Sequence, residues 1–103
     1  MTYKTYEVKV YNNGTKYWYL NGKLHREDGP AVEFTNGYKE WVFNGKLHRE
    51  DGPSVEWANG DKEWYLNDIE YTEAEWKAKL NPVKELSVKE ISDLLGYEVK
   101  VVK

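Results

Sequence analysis

The tetrapeptide His-Arg-Glu-Asp occurs twice, at residues 25–28 and 48–51, and could in principle carry out chemistry. A histidine beside carboxylates can act as a general base or hold a metal ion, and arginine can bind an anionic group. The ligands of one metal site usually lie close together in the sequence, whereas His25 and His48 are 23 residues apart. No nucleophile motif accompanies them, since Ser54 stands where the first copy has Ala31. We therefore expect no catalytic residue, no metal site and no cofactor.

The two copies belong to a repeat with a period of 23 residues. The identical stretch is longer than the tetrapeptide and reads NGKLHREDGP at residues 21–30 and 44–53. Tryptophans at 18, 41 and 64 recur in step with Asn-Gly pairs that begin at 13, 36 and 59. The third unit departs after Asn67, where the charged stretch is missing. Periods of this length are typical of arrays in which each unit completes the core of its neighbour.

Each unit alternates apolar and polar residues around an Asn-Gly pair, a pattern that predicts a β-hairpin with a type I′ turn. The charged stretch would then join one hairpin to the next. We predict a mainly β fold: an antiparallel hairpin-repeat sheet of about six strands over residues 1–70. The residues expected on its core face are Trp18, Leu20, Val32, Phe34, Trp41, Phe43, Val55, Trp57, Trp64 and Leu66, with Tyr19, Val42 and Tyr65 opposite.

A two-residue turn would place Glu33 opposite Glu40, and like charges across a sheet are unfavourable. A cation should therefore lie between them, and the planar fork of Arg26 can serve two carboxylates. The first hairpin supports this hypothesis, because it lacks both the glutamate pair and a preceding charged stretch. The second copy would repeat the arrangement with Arg49 between Glu56 and Glu63. The duplicated segment is thus interpreted as a structural joint first, with an exposed His-Arg row that binds an anion as the alternative.

Residues 71–103 have a different pattern, which predicts a small α+β part that covers the end of the array. Thr72 and Glu75 have the spacing of a capping box and open a helix over residues 73–80. A second capping box at Ser87 opens another helix, and Gly96 is placed to end it. A terminal strand follows over residues 97–102. The second helix and this strand could alternatively form a separate docking motif for a partner. The whole chain is expected to form one compact domain of two parts, 1–70 and 71–103.

Composition excludes several classes of protein. The 103 residues carry a formal net charge of −3, which is unlike the basic stripe of a nucleic-acid binder. There is no cysteine, and therefore no disulfide scaffold or thiolate chemistry. No apolar run has the length of a membrane span or resembles a signal peptide. We expect a cytoplasmic protein whose thin core depends on five Trp, nine Tyr and two Phe.

With these motifs laid out, residues 11–70 resemble the short aromatic hairpin repeats of the MORN family and its bacterial variants. They are more similar to small proteins of tailed bacteriophages that carry HREDGPA repeats. Arg26 and Arg49 stand where the MORN pattern often has glycine after the histidine. The resemblance implies a β-repeat sheet with an accessory role, in the host cytoplasm if the protein is phage-encoded. The lipid contact assigned to some MORN proteins is not transferred, because this chain lacks a polybasic cluster.

Four functions remain open from the sequence. The first is a non-enzymatic module that binds a bacterial host or phage protein and inhibits a defence complex, such as CRISPR or nucleotide-signalling immunity, by occlusion. The second is a small-ligand or nucleotide binder that uses an aromatic face and the His-Arg row. An enzyme is disfavoured, and self-assembly through open sheet edges is the fourth. The residues expected to bind are Tyr17, Tyr19, His25, Arg26, Tyr38, His48, Arg49 and Tyr65.

Overall fold

The computed structural model describes residues 4–81, which form a mainly β structure with one short helix. The elements in chain order are β1 (Tyr6–Val10), β2 (Lys16–Leu20), β3 (Lys23–Leu24), β4 (Val32–Glu33), β5 (Lys39–Glu40), β6 (Val42–Phe43), β7 (Lys46–Leu47), β8 (Val55–Glu56), β9 (Lys62–Leu66), β10 (Ile69–Tyr71) and α1 (Glu73–Leu80). The predicted mainly β class and the antiparallel hairpin sheet are confirmed. The expected six strands are instead ten shorter ones within residues 4–81.

Eight of these strands form one antiparallel sheet, in the order β1-β2-β4-β5-β8-β9-β10 with β3 paired to β2. The remaining pair, β6 and β7, is a separate two-stranded ribbon. Each repeat therefore contains two hairpins. The first hairpin contributes its strands to the main sheet. The second hairpin is the separate β6-β7 ribbon in the middle repeat, whereas in the outer repeats β3 and β10 pair with β2 and β9 of the main sheet.

The first hairpin of each repeat does not have the predicted type I′ turn. The Phe34 N–H donates to the Tyr38 carbonyl at 2.9 Å, and the Gly37 N–H donates to the Phe34 carbonyl at 3.1 Å. These bonds enclose three loop residues instead of two, and Gly37 has a φ of 101°. This is the three-residue loop with a left-handed glycine at its end. The same bonds recur at the Asn-Gly pairs beginning at 13 and 59.

Type I′ geometry occurs at the second Asn-Gly of each unit. Asn44 and Gly45 have φ values of 51° and 78°, as this turn requires of both central residues. Asn21 and Gly22 match them, and in the third unit Asn67 and Asp68 adopt the same backbone. Asparagine and aspartate tolerate this conformation better than other side chains, which explains why the turn survives the loss of its glycine.

The longer loop shifts the strand register by one residue. Val32 lies opposite Glu40 and Glu33 lies opposite Lys39, so the predicted facing glutamate pairs are wrong. The second hairpin shows the same register, with Glu56 opposite Lys62. A slip of one residue moves one strand's side chains to the other face of the sheet. Each of these glutamates therefore faces a lysine across the strands and not a second glutamate.

The register defines two faces, because neighbours opposite each other on paired strands share a face. The connector face carries Trp18, Trp41 and Trp64. The open face carries Tyr17, Val32, Phe34, Tyr38, Val55 and Trp57. Of the residues predicted for a common core, Phe34, Phe43 and Trp57 are 38%, 42% and 45% exposed, whereas Val42 is buried against expectation. The buried apolar core of residues 4–81 comprises Ala31, Val32, Val42, Val55 and Trp76.

Helix α1 confirms the helix predicted over residues 73–80. Thr72 is its N-cap: the Thr72 hydroxyl accepts from the Glu75 N–H, and the Glu75 carboxylate accepts from the Thr72 N–H. Trp76 is the buried residue of the helix and packs on Trp64, with ring centroids 4.6 Å apart. The helix therefore covers the last repeat, as predicted. The second helix and the terminal strand lie outside the described residues.

Candidate functional site

The two arginines of the duplicated segment each cover a tryptophan of the connector face. The guanidinium carbon of Arg26 lies 3.9 Å from the centroid of the Trp18 ring, and that of Arg49 lies 3.8 Å from Trp41. The Nε of Arg26 donates to Asp28 at 3.0 Å. These side chains are only 18% and 20% exposed. The stacking is a cation–π contact that is partly shielded from water.

Each arginine forms one of its two predicted ion pairs, the one with the glutamate of the strand that follows its loop. A terminal nitrogen of Arg26 lies 3.4 Å from Glu33 and 3.1 Å from the Pro30 carbonyl. In the next copy the terminal nitrogen of Arg49 lies 3.3 Å from Glu56 and 3.0 Å from the Pro53 carbonyl. The proposed bridge to Glu40 is wrong, because that residue lies on the open face, where it accepts a hydrogen bond from Tyr38. Each arginine joins its own loop to the strand that follows.

The histidines join successive repeats. His25 is 2% exposed, and its Nδ1 accepts from the Asn44 N–H at 2.9 Å. The Nδ1 of His48 accepts from the Asn67 N–H at 3.1 Å, so the next joint is built identically. An accepting Nδ1 fixes the neutral tautomer with its hydrogen on Nε2. Asn44 and Asn67 are the first residues of type I′ turns, and each histidine therefore positions the turn of the following repeat.

A groove of about 600 Å³ lies between the two charged loops on the connector face. Its walls include both arginines and His48, but also four carboxylates: Glu27, Asp28, Glu50 and Asp51. With histidine neutral, the formal charge of this groove is negative, and the guanidinium groups already hold carboxylates. Phosphate sites need unengaged donors and positive potential. The geometry here favours the structural role over anion binding.

The open face carries a continuous row of aromatic rings near the loop ends of the sheet. We call this the aromatic row: Tyr11, Tyr17, Phe34, Tyr38 and Trp57. Successive ring centroids along it are 5.6, 6.3, 5.1 and 4.7 Å apart. Tyr11, Phe34 and Trp57 are 52%, 38% and 45% exposed. Soluble proteins scatter exposed aromatics singly more often than in rows, and a contiguous apolar patch often marks a binding surface.

Carboxylates on the open face hold the polar ends of several of its rings. The Tyr38 hydroxyl donates to Glu40, and the Trp57 indole N–H donates to Glu63. Glu63 also accepts from the Tyr65 hydroxyl at 2.9 Å. Burial, followed by the hydrogen bond to Glu63, raises the pKa of Tyr65 to about 12. The pKa of Tyr38 is also raised, by burial and by Glu40. These bonds restrain the rings in fixed orientations.

The structure separates the predicted binding residues into two groups. Tyr17 and Tyr38 belong to the aromatic row, and Tyr19 and Tyr65 lie elsewhere on the open face. The arginines stack on the tryptophans of the opposite face. A single ligand would therefore not contact the tyrosines and the His-Arg row together in the way that the nucleotide hypothesis requires.

Three members of the row are not among the residues predicted to bind: Tyr11, Phe34 and Trp57, the last two of which are predicted for the core. All three stand at the same repeat position, immediately before the three-residue loop. This position ends a strand, where neighbours cover a side chain less completely. The recurrence of an aromatic residue there, with Asn-Gly two residues later, is the signal that could have found them.

No protein-family model, curated protein or solved structure matches the chain significantly. The resemblance to MORN-like repeats therefore stays a prediction. Among residues 4–81, no helix is long and apolar enough to cross a membrane. The same part of the chain contains no group of three or more metal-ligating side chains. The fold and the aromatic row define a β-hairpin repeat with an exposed aromatic surface.

Proposed function

We propose that this chain is a non-enzymatic protein-binding module and that the aromatic row is its contact surface. The observation that carries the proposal is the row itself, with three half-exposed rings at one repeat position and two tyrosines between them. Tyrosine and tryptophan are enriched at the energetic centres of protein interfaces, because they provide large contact area with few rotatable bonds.

The restraint on the rings supports this function. Each ring of the row contacts the next, and the glutamates hold Tyr38 and Trp57 by their polar atoms. A surface that is already ordered loses little conformational entropy when a partner binds. A preorganised aromatic surface on a β scaffold suits a protein that acts by occupying a site on its partner.

The partner that we propose is a bacterial host or phage protein. The specific form is a phage-encoded inhibitor that covers a working surface of a host defence complex, such as a CRISPR effector or a nucleotide-signalling system. This specific form is supported by the sequence resemblance of residues 11–70 alone. The protein-binding role is supported by the aromatic row and is independent of the resemblance.

Affinity capture from a bacterial lysate tests the role of the row. The wild-type chain would be compared with a Phe34→Ser, Trp57→Ser double variant, which removes two exposed rings. The matched control is Lys39→Ser with Lys62→Ser, which changes two exposed residues of the connector face. We expect a captured protein to be retained by the control and lost from the aromatic variant, with circular dichroism showing that all three chains are folded at the temperature of the capture.

The contrary result is equally clear. A protein captured equally by the wild type and by the aromatic variant would show that the row is not the contact surface.

Thermal-shift measurements with a panel of nucleotides test the alternative of a small-ligand site. A rise in melting temperature that survives Phe34→Ser with Trp57→Ser but is abolished by Arg49→Lys would favour a ligand site in the connector-face groove instead.

A further inference from the structure

We propose that the partner presents an extended, proline-rich segment with basic residues, and that this segment binds across the aromatic row in the polyproline II conformation. The inference rests on the proposed protein-binding function and names the chemistry of the partner. Three features of the row carry it: the spacing of its rings, their tilt and the charge of the surrounding face.

The first feature is the spacing of the repeat positions. Tyr11 follows β1, Phe34 follows β4 and Trp57 follows β8. In the sheet β1 and β4 are separated by β2, while β4 and β8 are separated by β5. Adjacent strands lie about 4.7–4.9 Å apart, which puts successive repeat positions about 9.5 Å apart. One turn of a polyproline II helix rises about 9.3 Å over its three residues.

This match gives the segment a direction and a register. A polyproline II helix that runs perpendicular to the strands presents the same side once every three residues. Every third residue of the segment would therefore contact one repeat position, and two turns of the helix would extend from Tyr11 to Trp57. An extended β-strand repeats its side chains every two residues, over about 6.6–6.8 Å, and would lose register with the rings.

The second feature is the shape between the rings. Neighbouring rings are inclined at 78°, 60°, 45° and 62°, which leaves ridges separated by clefts and not a flat platform. Clefts of about 430 and 350 Å³ lie on either side of Phe34. Ridged, aromatic-lined grooves accommodate the ridges of a proline helix, whose conformation is already ordered before binding. Nucleobases are planar and stack best on a flat aromatic surface, which this row does not offer.

A hydrogen-bond donor stands at the junction of the two clefts. Asn36 lines both of them and is exposed. Its Oδ1 accepts from the Tyr38 N–H at 2.9 Å, which fixes the side chain. The amide nitrogen of Asn36 can then donate to a carbonyl of the bound segment. A polyproline II backbone has no internal hydrogen bonds, and its carbonyls are available to such donors.

The third feature is charge. The open face around Tyr38 and Trp57 carries Glu40, Glu63 and Asp61. The register directs Lys16, Lys39 and Lys62 to the connector face, and Lys9 lies on the open face opposite Tyr17, away from the Trp57 end. The row is therefore bordered by carboxylates at its Trp57 end, and a basic residue of the partner would complement them. Proline for shape and arginine or lysine for charge define the segment.

Synthetic peptides test this inference directly. The probe is a peptide of four Pro-Pro-Arg triplets, titrated into the isotopically labelled full chain and followed by backbone amide shifts. Matched peptides replace the prolines with glycine or the arginines with glutamate. We expect the first peptide to bind at least about tenfold more tightly than either control, with shifts concentrated at the aromatic row.

Protein variants complete the test. Phe34→Ser with Trp57→Ser should weaken binding of the Pro-Pro-Arg peptide about tenfold or more, whereas Lys39→Ser with Lys62→Ser, which removes two positive charges, should not weaken it. Equal binding of the glycine peptide, or binding insensitive to the aromatic variant, would overturn the inference. So would row shifts produced by a cellulose-derived oligosaccharide or by self-association, with none from the proline peptide.

The failure of this inference is distinguishable from failure of the proposed function. A captured protein that depends on Phe34 and Trp57, together with no binding of the Pro-Pro-Arg peptide at about millimolar concentration, would reject the proline-rich chemistry and retain the protein-binding role. A captured protein that is indifferent to both rings would reject the role itself.

Discussion

Both faces of the sheet carry recurring aromatic residues, but the rings have different surroundings on the two faces. Both carry an aromatic residue once in every 23 residues. On the connector face a guanidinium lies over Trp18 and another over Trp41, and each arginine is tied to the chain by carboxylates and a carbonyl. On the open face the rings meet one another and the solvent. The covered rings stabilise the array, and the uncovered rings are available to a partner.

In the third repeat a different side chain covers the tryptophan of the connector face. The charged segment is absent after Asn67, and Trp64 has no following arginine of that kind. Helix α1 supplies Trp76 instead, and the Trp76 indole N–H donates to the Arg49 carbonyl at 2.8 Å. A different residue on a different element thus fills the equivalent role. Within residues 4–81, the open face has no comparable substitute over Phe34 or Trp57.

Removal of Trp76 is expected to have the largest effect. Trp76 is 7% exposed, packs on Trp64 and bonds to the Arg49 carbonyl. The variant Trp76→Ala should lower the free energy of unfolding by about 3–5 kcal/mol, because it opens a cavity and leaves a buried acceptor unpaired. Denaturant titration followed by circular dichroism measures this change.

Trp57→Ala is the matched control for that experiment. The same chemical change on the open face removes a ring that is 45% exposed, and it should cost only about 1 kcal/mol. Similar losses from both substitutions would mean that the row is part of the core. The distinction between a structural face and a binding face would then fail.

Arg49→Ala should have the next largest effect. The substitution removes the cation–π contact with Trp41, the bond to the Pro53 carbonyl and the ion pair with Glu56. The combined loss is expected to be about 2 kcal/mol in the free energy of unfolding. Arg49→Lys keeps the charge but not the planar fork, and should recover less than half of this.

Chemical denaturation at low and high salt distinguishes the components of that loss. Stacking and hydrogen bonding resist screening better than an exposed ion pair, so most of the difference between wild type and Arg49→Ala should persist at high salt. A loss below about 0.5 kcal/mol would mean that the charged segment does not stabilise the joint. The duplicated arginines would then need a functional explanation.

Several parts of this structure were predictable from the sequence because local rules determine them. The repeat predicted a hairpin array, and the capping box at Thr72 predicted helix α1. In each case the relevant residues lie in short segments or recur at a fixed period. These features depend little on how the strands are paired.

The register was not predictable with the same rules, and the site was missed with it. Asn-Gly suits both a two-residue turn and the last two positions of a three-residue loop ending in left-handed glycine. Asn36-Gly37 forms the end of a three-residue loop, whereas Asn44-Gly45 forms a two-residue turn. A difference of one residue transferred Phe34 and Trp57 from the expected core to the open face. An ambiguity within one turn therefore concealed the aromatic row.

The smallest expected effect concerns the tyrosines of the open face and appears only at alkaline pH. The folded chain raises the pKa of Tyr65 from 10.0 to about 12, first through burial and then through the hydrogen bond to Glu63. Between these values the folded state retains a proton that the unfolded state has lost. Stability is therefore fully present below pH 10 and falls as the pH rises from 10 to about 12.

Tyr65→Phe should remove this contribution, so its stability should decline less steeply than that of the wild type across the same interval. Lysines also titrate in this range, but they are common to both chains and cancel in the comparison. Ultraviolet absorbance of tyrosinate follows the ionisation, and urea denaturation at each pH follows stability. Parallel decline of both chains would mean that neither burial nor the hydrogen bond to Glu63 raises the pKa of Tyr65 in the folded state. The Glu63–Tyr65 hydrogen bond would then not count among the interactions that restrain the open-face rings and preorganise that face.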